Sequence, residues 1–383
     1  MGLLKNLLFN IAAGIIALMT GCSQSVIKTD SVLDNNPYNM FGRTPERSFY
    51  YPVVIGDSIK KIWDNSINGS FNNSSISYYD KYVFINDLSG RIFCFDMKTG
   101  KRIGQLKNTG AVYSTPLVDR FRVIYLNAHN DENMSDLCYY DLDESKYTDQ
   151  EKIPGRALTE TINTVDGILF TTEKGIVYKY NPNGVKVWET DTKSVTYSSP
   201  ALGKNIVVFG NNEGEVIALN QSDGTIRYRI KAGLPFYGGA SISGSNIYIG
   251  NDYGNLYCLD LTSGRINWKF STGTRIIMTP ALDDDNVYFG NLSGEFYSLN
   301  KTTGKLNWNK KLGALFDVTP MVTQNMLILP DQFEKLYFVD KTNGIKKNTY
   351  SFRGRLKLTP VMKDSLLFIG YDDGELEAYE IVK

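Results

Sequence analysis

The stretch Asn251–Trp268 reads NDYGNLYCLDLTSGRINW, and Asn291–Trp308, forty residues further on, reads NLSGEFYSLNKTTGKLNW. Both contain an alternating apolar run, a turn with glycine, and a short run that ends in tryptophan. Alternating runs between Asn, Asp and Gly turns predict β-strands joined by hairpins. A repeat of about 40 residues built from such strands is typical of β-propeller blades.

The repeat continues through most of the chain. A serine or threonine followed by proline recurs at steps of 40 or 80 residues, at Pro200, Pro280, Pro320 and Pro360. The third-strand segments of the units are RIFCFD, DLCYYD, GIVYKY, GEVIAL, GNLYCL, GEFYSL, EKLYFV and GELEAY. A single blade cannot cover both faces of its sheet, whereas blades stacked around an axis cover one another. We therefore predict an all-β, eight-bladed propeller of four-stranded antiparallel blades over residues 48–383.

The ends of the repeat predict how the ring closes. The eighth unit, up to Lys383, has a third strand but no fourth, and the run SIKKIWDNS (58–66) precedes the first unit. We expect this N-terminal strand to complete the last blade. A slot four residues after the second-turn glycine holds an aromatic side chain, for which we predict a structural role in docking neighbouring blades. Together with the tryptophan of the N-terminal strand, the set is Trp63, Trp188, Tyr228, Trp268 and Trp308.

Charge and cysteine content narrow the range of functions. Lys plus Arg and Asp plus Glu both number 41, so no excess positive charge attracts nucleic acid, and we predict no nucleic-acid partner. Cys94, Cys138 and Cys258 share one strand slot. Equivalent slots on adjacent blades lie about 10 Å apart, which is farther than the separation of about 7 Å that a disulfide tolerates. We expect three buried, unpaired thiols.

The N-terminus is typical of an export signal. Lys5 precedes the apolar run Leu7–Met19, which is shorter than the span of about 20 residues that crosses a bilayer. The run ends in LMTGC and is similar to a bacterial lipoprotein signal, in which the cysteine, here Cys22, receives the lipid. An ordinary signal with a chance cysteine is the alternative. We expect a signal peptide over 1–21, then a tether and lead-in over 22–47, of which 23–36 is flexible. Ser23 after the cysteine favours an outer-membrane lipoprotein of the bacterial cell envelope.

The repeated pattern G-x-x-Y-x-L-[DN]-x-x-[TS]-G-x-x-x-W resembles the pyrroloquinoline-quinone (PQQ) type propeller repeat over roughly residues 62–383. That resemblance implies one of two kinds of protein. Quinoprotein dehydrogenases clamp their cofactor with a vicinal cysteine pair and a calcium ion, and this sequence has no Cys-Cys pair and no C-x-x-C-H motif. Lipoproteins of the BamB family, which act in outer-membrane β-barrel assembly, combine a lipobox cysteine with a propeller of this length. The segment FGRTPER (41–47) also resembles the lead-in of such propellers.

The resemblance to the second kind implies a function. We expect a monomeric, non-catalytic scaffold without a cofactor, anchored to the membrane by lipid. Its partner would be an envelope protein such as the barrel-assembly protein. A glycan- or ligand-binding propeller and a PQQ-dependent oxidoreductase are the alternatives.

The candidate partner site is the slot three residues before the proline position. It holds Tyr113, Tyr197 and Tyr237, followed in later units by Ile277, Asp317 and Lys357. Because these residues precede the first strand of successive blades, they should surround one mouth of the central channel. Tyrosines on a rigid rim can bind an extended peptide or a partner loop. A packed rim that only seals the channel is the alternative.

Two acidic runs contain possible metal ligands. The run HNDENMSD, from His129 to Asp136, lacks the glycine and terminal glutamate of a calcium loop, so a solvated loop is the simpler interpretation. The turn Asp283–Asp285 is typical of a hairpin. His129 is the single histidine and has no evident catalytic partner in the sequence. We predict no metal site and no catalytic residue.

Overall fold

The computed structural model describes residues 26–30, 40–119, 121–312 and 315–382. Eight β-sheets hold the regular structure of these ranges, together with one 3₁₀ turn at Asp372–Gly374. No helix within them is long and apolar enough to cross a bilayer. Seven sheets have four strands and the eighth has five. The predicted all-β, eight-bladed propeller is therefore confirmed.

The blades are numbered along the chain, and each is given from its inner strand, next to the central axis, to its outer strand. Blade 1 comprises Ser77–Tyr79, Tyr82–Asn86, Arg91–Asp96 and Arg102–Lys107. Blade 2 comprises Leu117–Asp119, Arg122–His129, Met134–Asp141 and Lys146–Pro154. Blade 3 comprises Ile162–Thr164, Gly167–Thr171, Ile176–Tyr180 and Lys186–Asp191. Blade 4 comprises Ala201–Gly203, Ile206–Gly210, Glu215–Asn220 and Ile226–Lys231.

The second half of the ring has the same order. Blade 5 comprises Ser241–Ser243, Asn246–Gly250, Asn255–Asp260 and Ile266–Ser271. Blade 6 comprises Ala281–Leu282, Asn286–Gly290, Glu295–Asn300 and Leu306–Lys311. Blade 7 comprises Met321–Thr323, Met326–Pro330, Lys335–Asp340 and Lys346–Ser351, with Tyr50–Tyr51 added parallel to its inner strand. Blade 8 comprises Val361–Lys363, Leu366–Tyr371, Glu375–Val382 and, as its outer strand, Ser58–Ser66.

Burial within a blade follows the position of the strand. In blade 4, the second strand is buried at every residue, whereas the outer strand alternates between exposed and half-buried residues. The second and third strands lie between neighbouring blades, and the outer strands face solvent. This arrangement explains why each repeat is apolar in its middle and mixed in polarity at its end.

The N-terminal strand Ser58–Ser66 closes the ring. It pairs antiparallel with Glu375–Val382 and places Trp63 opposite Ala378. The Trp63 ring is buried, and its indole N–H donates to the backbone oxygen of Met97 in blade 1 at 2.9 Å. One strand thus completes blade 8 and bonds it to blade 1, and the predicted closure is confirmed.

The aromatic side chains of the outer strands reach the next blade. Their N–H or O–H groups donate to backbone oxygens over 2.9–3.1 Å, in the pairs Trp188–Gln221, Tyr228–Leu261, Trp268–Lys301 and Trp308–Lys341. Each ring also lies against the turn glycine of that next blade. A Cβ atom on Gly344, whose φ is +72°, would lie 2.7 Å from the Trp308 ring. These contacts support the proposed docking role and explain why this turn requires glycine.

The cysteines of the described chain are free and buried at Cys94, Cys138 and Cys258, as predicted. Burial raises the pKa of the Cys138 thiol to about 12 and that of Cys258 to about 11. The thiols therefore stay protonated and behave as small apolar side chains.

Residues 26–30 differ from the flexible tether expected over 23–36. Ile27 is fully buried against blades 1 and 2, where its N–H donates to Tyr140 Oη at 3.1 Å and its carbonyl accepts from the same hydroxyl at 3.0 Å. The expectation is therefore wrong at these residues, because one buried isoleucine among polar neighbours gives no periodic signal. The proposed lipidation site Cys22 lies outside the described residues.

Deletion of residues 57–66 should lower the melting temperature far more than shortening the exposed hairpin at 130–133. The deletion leaves the edge of Glu375–Val382 without a partner and removes Trp63 from the contact with blade 1. Thermal unfolding followed by circular dichroism measures both variants. An unchanged melting temperature in the strand deletion would contradict the closure.

Gly344→Ala should destabilise the protein by about 2–4 kcal/mol, because the new Cβ meets the Trp308 ring and the residue has a positive φ. Gly244→Ala is the matched control, since Gly244 also has a positive φ but nothing lies within 4 Å of its Cβ position. It should cost only about 1–2 kcal/mol. In a Trp308→Ala background the two glycine substitutions should cost the same. Urea unfolding of the double-mutant cycle measures this, and an undiminished cost of Gly344→Ala would exclude the ring contact.

Candidate functional site

The central channel opens into a cavity of about 320 Å³ at one end of the ring. Three tyrosines from the predicted slot line it, namely Tyr113, Tyr197 and Tyr237. Ile277 and Asp317, from the same slot of later units, also line it. Lys357 is half-buried and is not among the lining residues. The structure therefore brings five of the six slot residues to one cavity.

The floor of the cavity includes Phe41, which belongs to a lead-in segment at residues 40–49. This segment runs along the inner strands of four blades. Its carbonyl oxygens accept backbone N–H groups at equivalent positions of blades 4 to 7, over 2.8–3.0 Å, in the pairs Leu202–Pro45, Ile242–Glu46, Leu282–Ser48 and Val322–Phe49. The N–H groups of the inner strands that face the axis thereby have hydrogen-bond acceptors. The lead-in fills the channel behind the cavity, and the expected domain boundary at residue 48 falls within this packed segment.

Arg47 holds the lead-in in the channel and is completely buried. Its guanidinium donates to four backbone oxygens, which belong to Phe41, Glu160, Thr161 and Pro200, at 2.5–3.4 Å. Burial lowers the pKa of Arg47 to about 10, and the charge of Glu160 opposes this shift. A buried cation in a ring of carbonyl oxygens fixes the lead-in to blades 3 and 4.

Glu160 is buried beside Arg47 at the start of blade 3. Its carboxylate accepts the backbone N–H of Thr115 at 2.9 Å and the Thr115 hydroxyl at 3.1 Å. Burial raises the pKa of Glu160 to about 7, although the charge of Arg47 and the two bonds from Thr115 act in the opposite direction. The cost of desolvating the charged carboxylate outweighs these favourable contacts.

The face around the cavity mouth, here called the tyrosine face, is formed by the connections into the inner strands and by the hairpins between second and third strands. These two sets of loops are bonded to each other, as in the bond from Asp252 N to Pro235 O at 2.8 Å. Large apolar side chains are exposed in these loops, at Val195 (41%), Tyr197 (40%), Leu234 (46%), Tyr253 (69%) and Phe333 (59%). Rigid loops that carry exposed aromatic and aliphatic side chains are suited to protein recognition.

Three arginines at the tyrosine face are paired with acids. Arg156 binds Glu173, Arg275 binds Asp252, and Arg355 binds Asp372. Each arginine lies in a connection into an inner strand and each acid lies in the adjacent hairpin. Asp317 is different, because it lines the cavity, is only 8% exposed as a residue, and has no arginine or lysine bonded to its carboxylate among the described residues.

The side chains of the two acidic runs are bonded to neighbouring residues. His129 Nε2 lies 2.7 Å from Asp136 Oδ2 across the hairpin of blade 2, and Glu132 pairs with Lys152 at 3.2 Å. Asp283 accepts from Lys341 at 2.8 Å and from the Tyr288 hydroxyl at 2.9 Å. Within the described ranges, no group of three or more His, Cys, Asp or Glu side chains is arranged to hold a metal ion.

The cavity does not match a quinone cofactor of the PQQ type. That cofactor carries three carboxylates and would require cationic or metal-bound partners. The only charged residue in the described lining is Asp317, which would repel it. The three cysteines of the described chain lie buried in strands, away from this lining. We therefore derive no reaction through such a group.

Comparison with known proteins agrees with this architecture. A family model described as outer membrane protein assembly factor BamB matches residues 173–238 and 269–381, which is just under half of the chain. BamB from Moraxella catarrhalis superposes with a TM-score of 0.71 at 15% identity, over 85% of this chain and 100% of its own. The chain is an eight-bladed propeller that resembles BamB and the PQQ-type repeat. No curated protein sequence matches it.

Enzymes share the fold of this BamB-like propeller. Quinohemoprotein alcohol dehydrogenase from Comamonas testosteroni superposes with a TM-score of 0.75 at 9% identity, over 91% of this chain and 81% of its own. A europium-containing methanol dehydrogenase gives 0.73 at 10%, over 91% and 98%. At such identities the likeness shows the fold alone. The function has to be argued from the cavity and the tyrosine face.

Sequence reasoning found the tyrosines of this BamB-like propeller but missed the channel-filling role of the lead-in. Arg47 and Glu160 were not predicted as a buried pair. The segment around Arg47 lies outside the 40-residue repeat, so no equivalent position in another unit indicates its environment. Its length and its resemblance to a lead-in were the only signals available.

Glu160→Gln should alter the pH dependence of stability. The folded carboxyl keeps its proton up to about pH 7, whereas the ordinary value of 4.5 applies to the unfolded chain. The stabilising contribution is therefore complete below pH 4.5 and is lost as the pH rises to about 7. The free energy of unfolding of the native protein, minus that of Glu160→Gln, should fall by up to about 3 kcal/mol across this window. Denaturant unfolding at several pH values measures it, and parallel profiles would contradict the prediction.

Proposed function

We propose that this protein is a lipid-anchored, non-catalytic propeller scaffold of the bacterial cell envelope that assists outer-membrane protein assembly by binding a partner protein. The observation that carries the proposal is the tyrosine face. There, Tyr113, Tyr197 and Tyr237 surround a cavity and exposed apolar side chains lie in the adjacent loops. The family model for an outer-membrane assembly factor supports the same process.

The rigid framework favours recognition by preformed contacts. Tyr197 is 40% exposed, and the ring of Tyr237 lies 6.0 Å from the guanidinium of Arg275, which is itself bonded to Asp252. Tyrosines contribute large contact area with few rotatable bonds, so little entropy is lost when a partner binds. The partner in this proposal is an envelope protein, the barrel-assembly protein, which presents an extended segment or a loop to the face.

The membrane attachment in this proposal uses Cys22. Residues 1–21 act as the signal peptide, and the acylated cysteine anchors the protein as an outer-membrane lipoprotein. The packed residues 26–30 support a short connection, because Ile27 is fixed against blades 1 and 2 only five positions after Cys22. Five extended residues span at most about 18 Å, so the anchor would keep that edge of the ring close to the membrane.

A ligand-binding propeller is the second candidate function. The cavity of about 320 Å³ falls within the usual size of small-molecule sites, and its lining combines aromatic rings with amide and hydroxyl groups. A protein of this kind would retain small saccharides and would not capture a barrel protein. The dehydrogenases with the same fold leave an oxidoreductase as a third candidate, although the lining of this cavity does not fit the PQQ-type quinone. Cofactor absorbance after reconstitution would identify it.

The triple substitution of Tyr113, Tyr197 and Tyr237 by serine should abolish capture of the barrel-assembly protein from gently solubilised envelopes. Mass spectrometry of the captured proteins gives the measurement. The change removes the aromatic contact area of the rim, while the blades keep their packing.

The matched control replaces three exposed apolar residues on the opposite face, Val165, Val185 and Ile345, by serine. This variant should capture the partner as the native protein does. Both variants should melt within a few degrees of the native protein. Undiminished capture by the tyrosine variant, or equal loss in the control, would refute the assignment of the partner site.

A further inference from the structure

We propose that the cavity of the tyrosine face binds a primary ammonium group, supplied by a lysine side chain of the partner segment, with Asp317 as its counter-ion. The inference rests on the proposed function and names the chemical group that the partner places in the cavity.

Asp317 has one free hydrogen-bonding oxygen. Its Oδ2 atom accepts from Asn73 Nδ2 at 3.2 Å and from Gln332 Nε2. Its Oδ1 atom is buried and has no hydrogen-bond partner among the described residues. Asp317 is only 8% exposed as a residue, and burying a carboxylate without a counter-charge is costly. A cation that enters the cavity would neutralise this charge.

The rest of the lining favours a cation. The rings of Tyr113, Tyr197 and Tyr237 surround the same cavity, and the faces of aromatic rings attract positive charge. The described lining contains no lysine or arginine that would compete for the site. Lysine also has a long apolar stem, which can contact Ile277 and Met278 on the way to the carboxylate.

Three arginines at the rim are bonded to acids other than Asp317. Arg355 donates from Nε to Asp372 Oδ2 at 2.6 Å. The pKa of Arg355 is raised, first by Asp372 and to a smaller extent by the charge of Asp317. The charge of Asp317 therefore acts on Arg355, but the hydrogen bond of Arg355 goes to Asp372. Arg156 and Arg275 are likewise bonded to Glu173 and Asp252.

The hydrogen-bond geometry favours an ammonium over a guanidinium. Arginine binds a carboxylate most strongly through two parallel bonds, one to each oxygen. At Asp317 the Oδ2 atom already accepts two amide donors and Oδ1 is buried, so the carboxylate does not present two free oxygens to a guanidinium. A lysine ammonium needs one oxygen, and its other donors can reach hydroxyl groups of the lining such as Ser199 and Thr319.

The test titrates short peptides into the purified propeller and follows binding by NMR. The probes are acetyl-Gly-Lys-Gly-amide and the same peptide with norleucine, which has the apolar stem but no ammonium. The lysine peptide should bind at least about tenfold more tightly to the native protein. Asp317→Asn, which keeps the shape of the side chain, should remove this preference. Equal binding of both peptides, or an unchanged preference in Asp317→Asn, would overturn the proposal.

Two further variants keep the test decisive. Asp373→Asn is the matched control, since Asp373 is an exposed acid on the tyrosine face that does not line the cavity, and asparagine tolerates its positive φ of 69°. It should keep the full lysine preference, and a loss there would reduce the effect to general surface charge and refute the site. If Asp317→Asn does not fold, Tyr197→Leu replaces it and should lower the preference about two- to fivefold. No change with Tyr197→Leu would also refute the site.

Two further measurements show whether the ammonium comes from a partner side chain, and whether the lysine inference and the proposed function fail independently. Cadaverine, a free diamine, should bind more weakly than the lysine peptide, and tighter binding of cadaverine would overturn the assignment to a partner side chain. Capture of the barrel-assembly protein should decrease in Asp317→Asn. If capture depends on the tyrosines but not on Asp317, the lysine inference fails and the proposed function stands. If the lysine peptide binds through Asp317 but no barrel protein is captured, the proposed function fails.

Discussion

The antiparallel pairing of Ser58–Ser66 with Glu375–Val382 is the contact on which the ring depends. A four-stranded blade has two apolar faces, and each face is covered only by a neighbouring blade. Without the N-terminal strand, blade 8 would lack its outer edge and Trp63 would no longer bond to Met97 of blade 1. The cavity, whose lining comes from the connections into seven of the blades, has a defined shape only while this junction holds the ring closed.

The lead-in makes the two ends of the channel different. It bonds to the inner strands of blades 4 to 7, and Arg47 fixes it through four carbonyl oxygens. The channel therefore becomes a cavity with a floor at Phe41 and a single mouth at the tyrosine face. A site with one open side can receive a side chain from a partner and shield it from water, which a continuous water-filled channel would not do. The burial of Glu160 that raises its pKa to about 7 results from the same packing.

The features that could be predicted from the sequence are those that occupy equivalent positions in the repeats. Blade number, strand order, free cysteines and the position of Tyr113, Tyr197 and Tyr237 all follow from spacing, because a residue in one unit indicates the environment of its equivalents in the others. Ile27 and Arg47 lie outside the repeat, and their burial depends on long-range contacts with Tyr140 and with the carbonyl oxygens of blades 3 and 4. Neither has an equivalent elsewhere in the chain from which its partners could be inferred.

The slot before the inner strands shows how a repeated framework can hold a single specific site. Packing between blades fixes the second and third strands and the turn glycines, and substitutions there, such as a Cβ at Gly344, meet neighbouring rings. The slot residues lie at the mouth, beyond this packing, so the side chain can change from tyrosine to isoleucine, aspartate or lysine without loss of the fold. Eight-fold geometry would give eight equal positions, but the different side chains place one carboxylate, Asp317, opposite an arc of tyrosines. That asymmetry gives the mouth a direction, and a partner that inserts one cationic side chain could bind in only one rotational register around the ring.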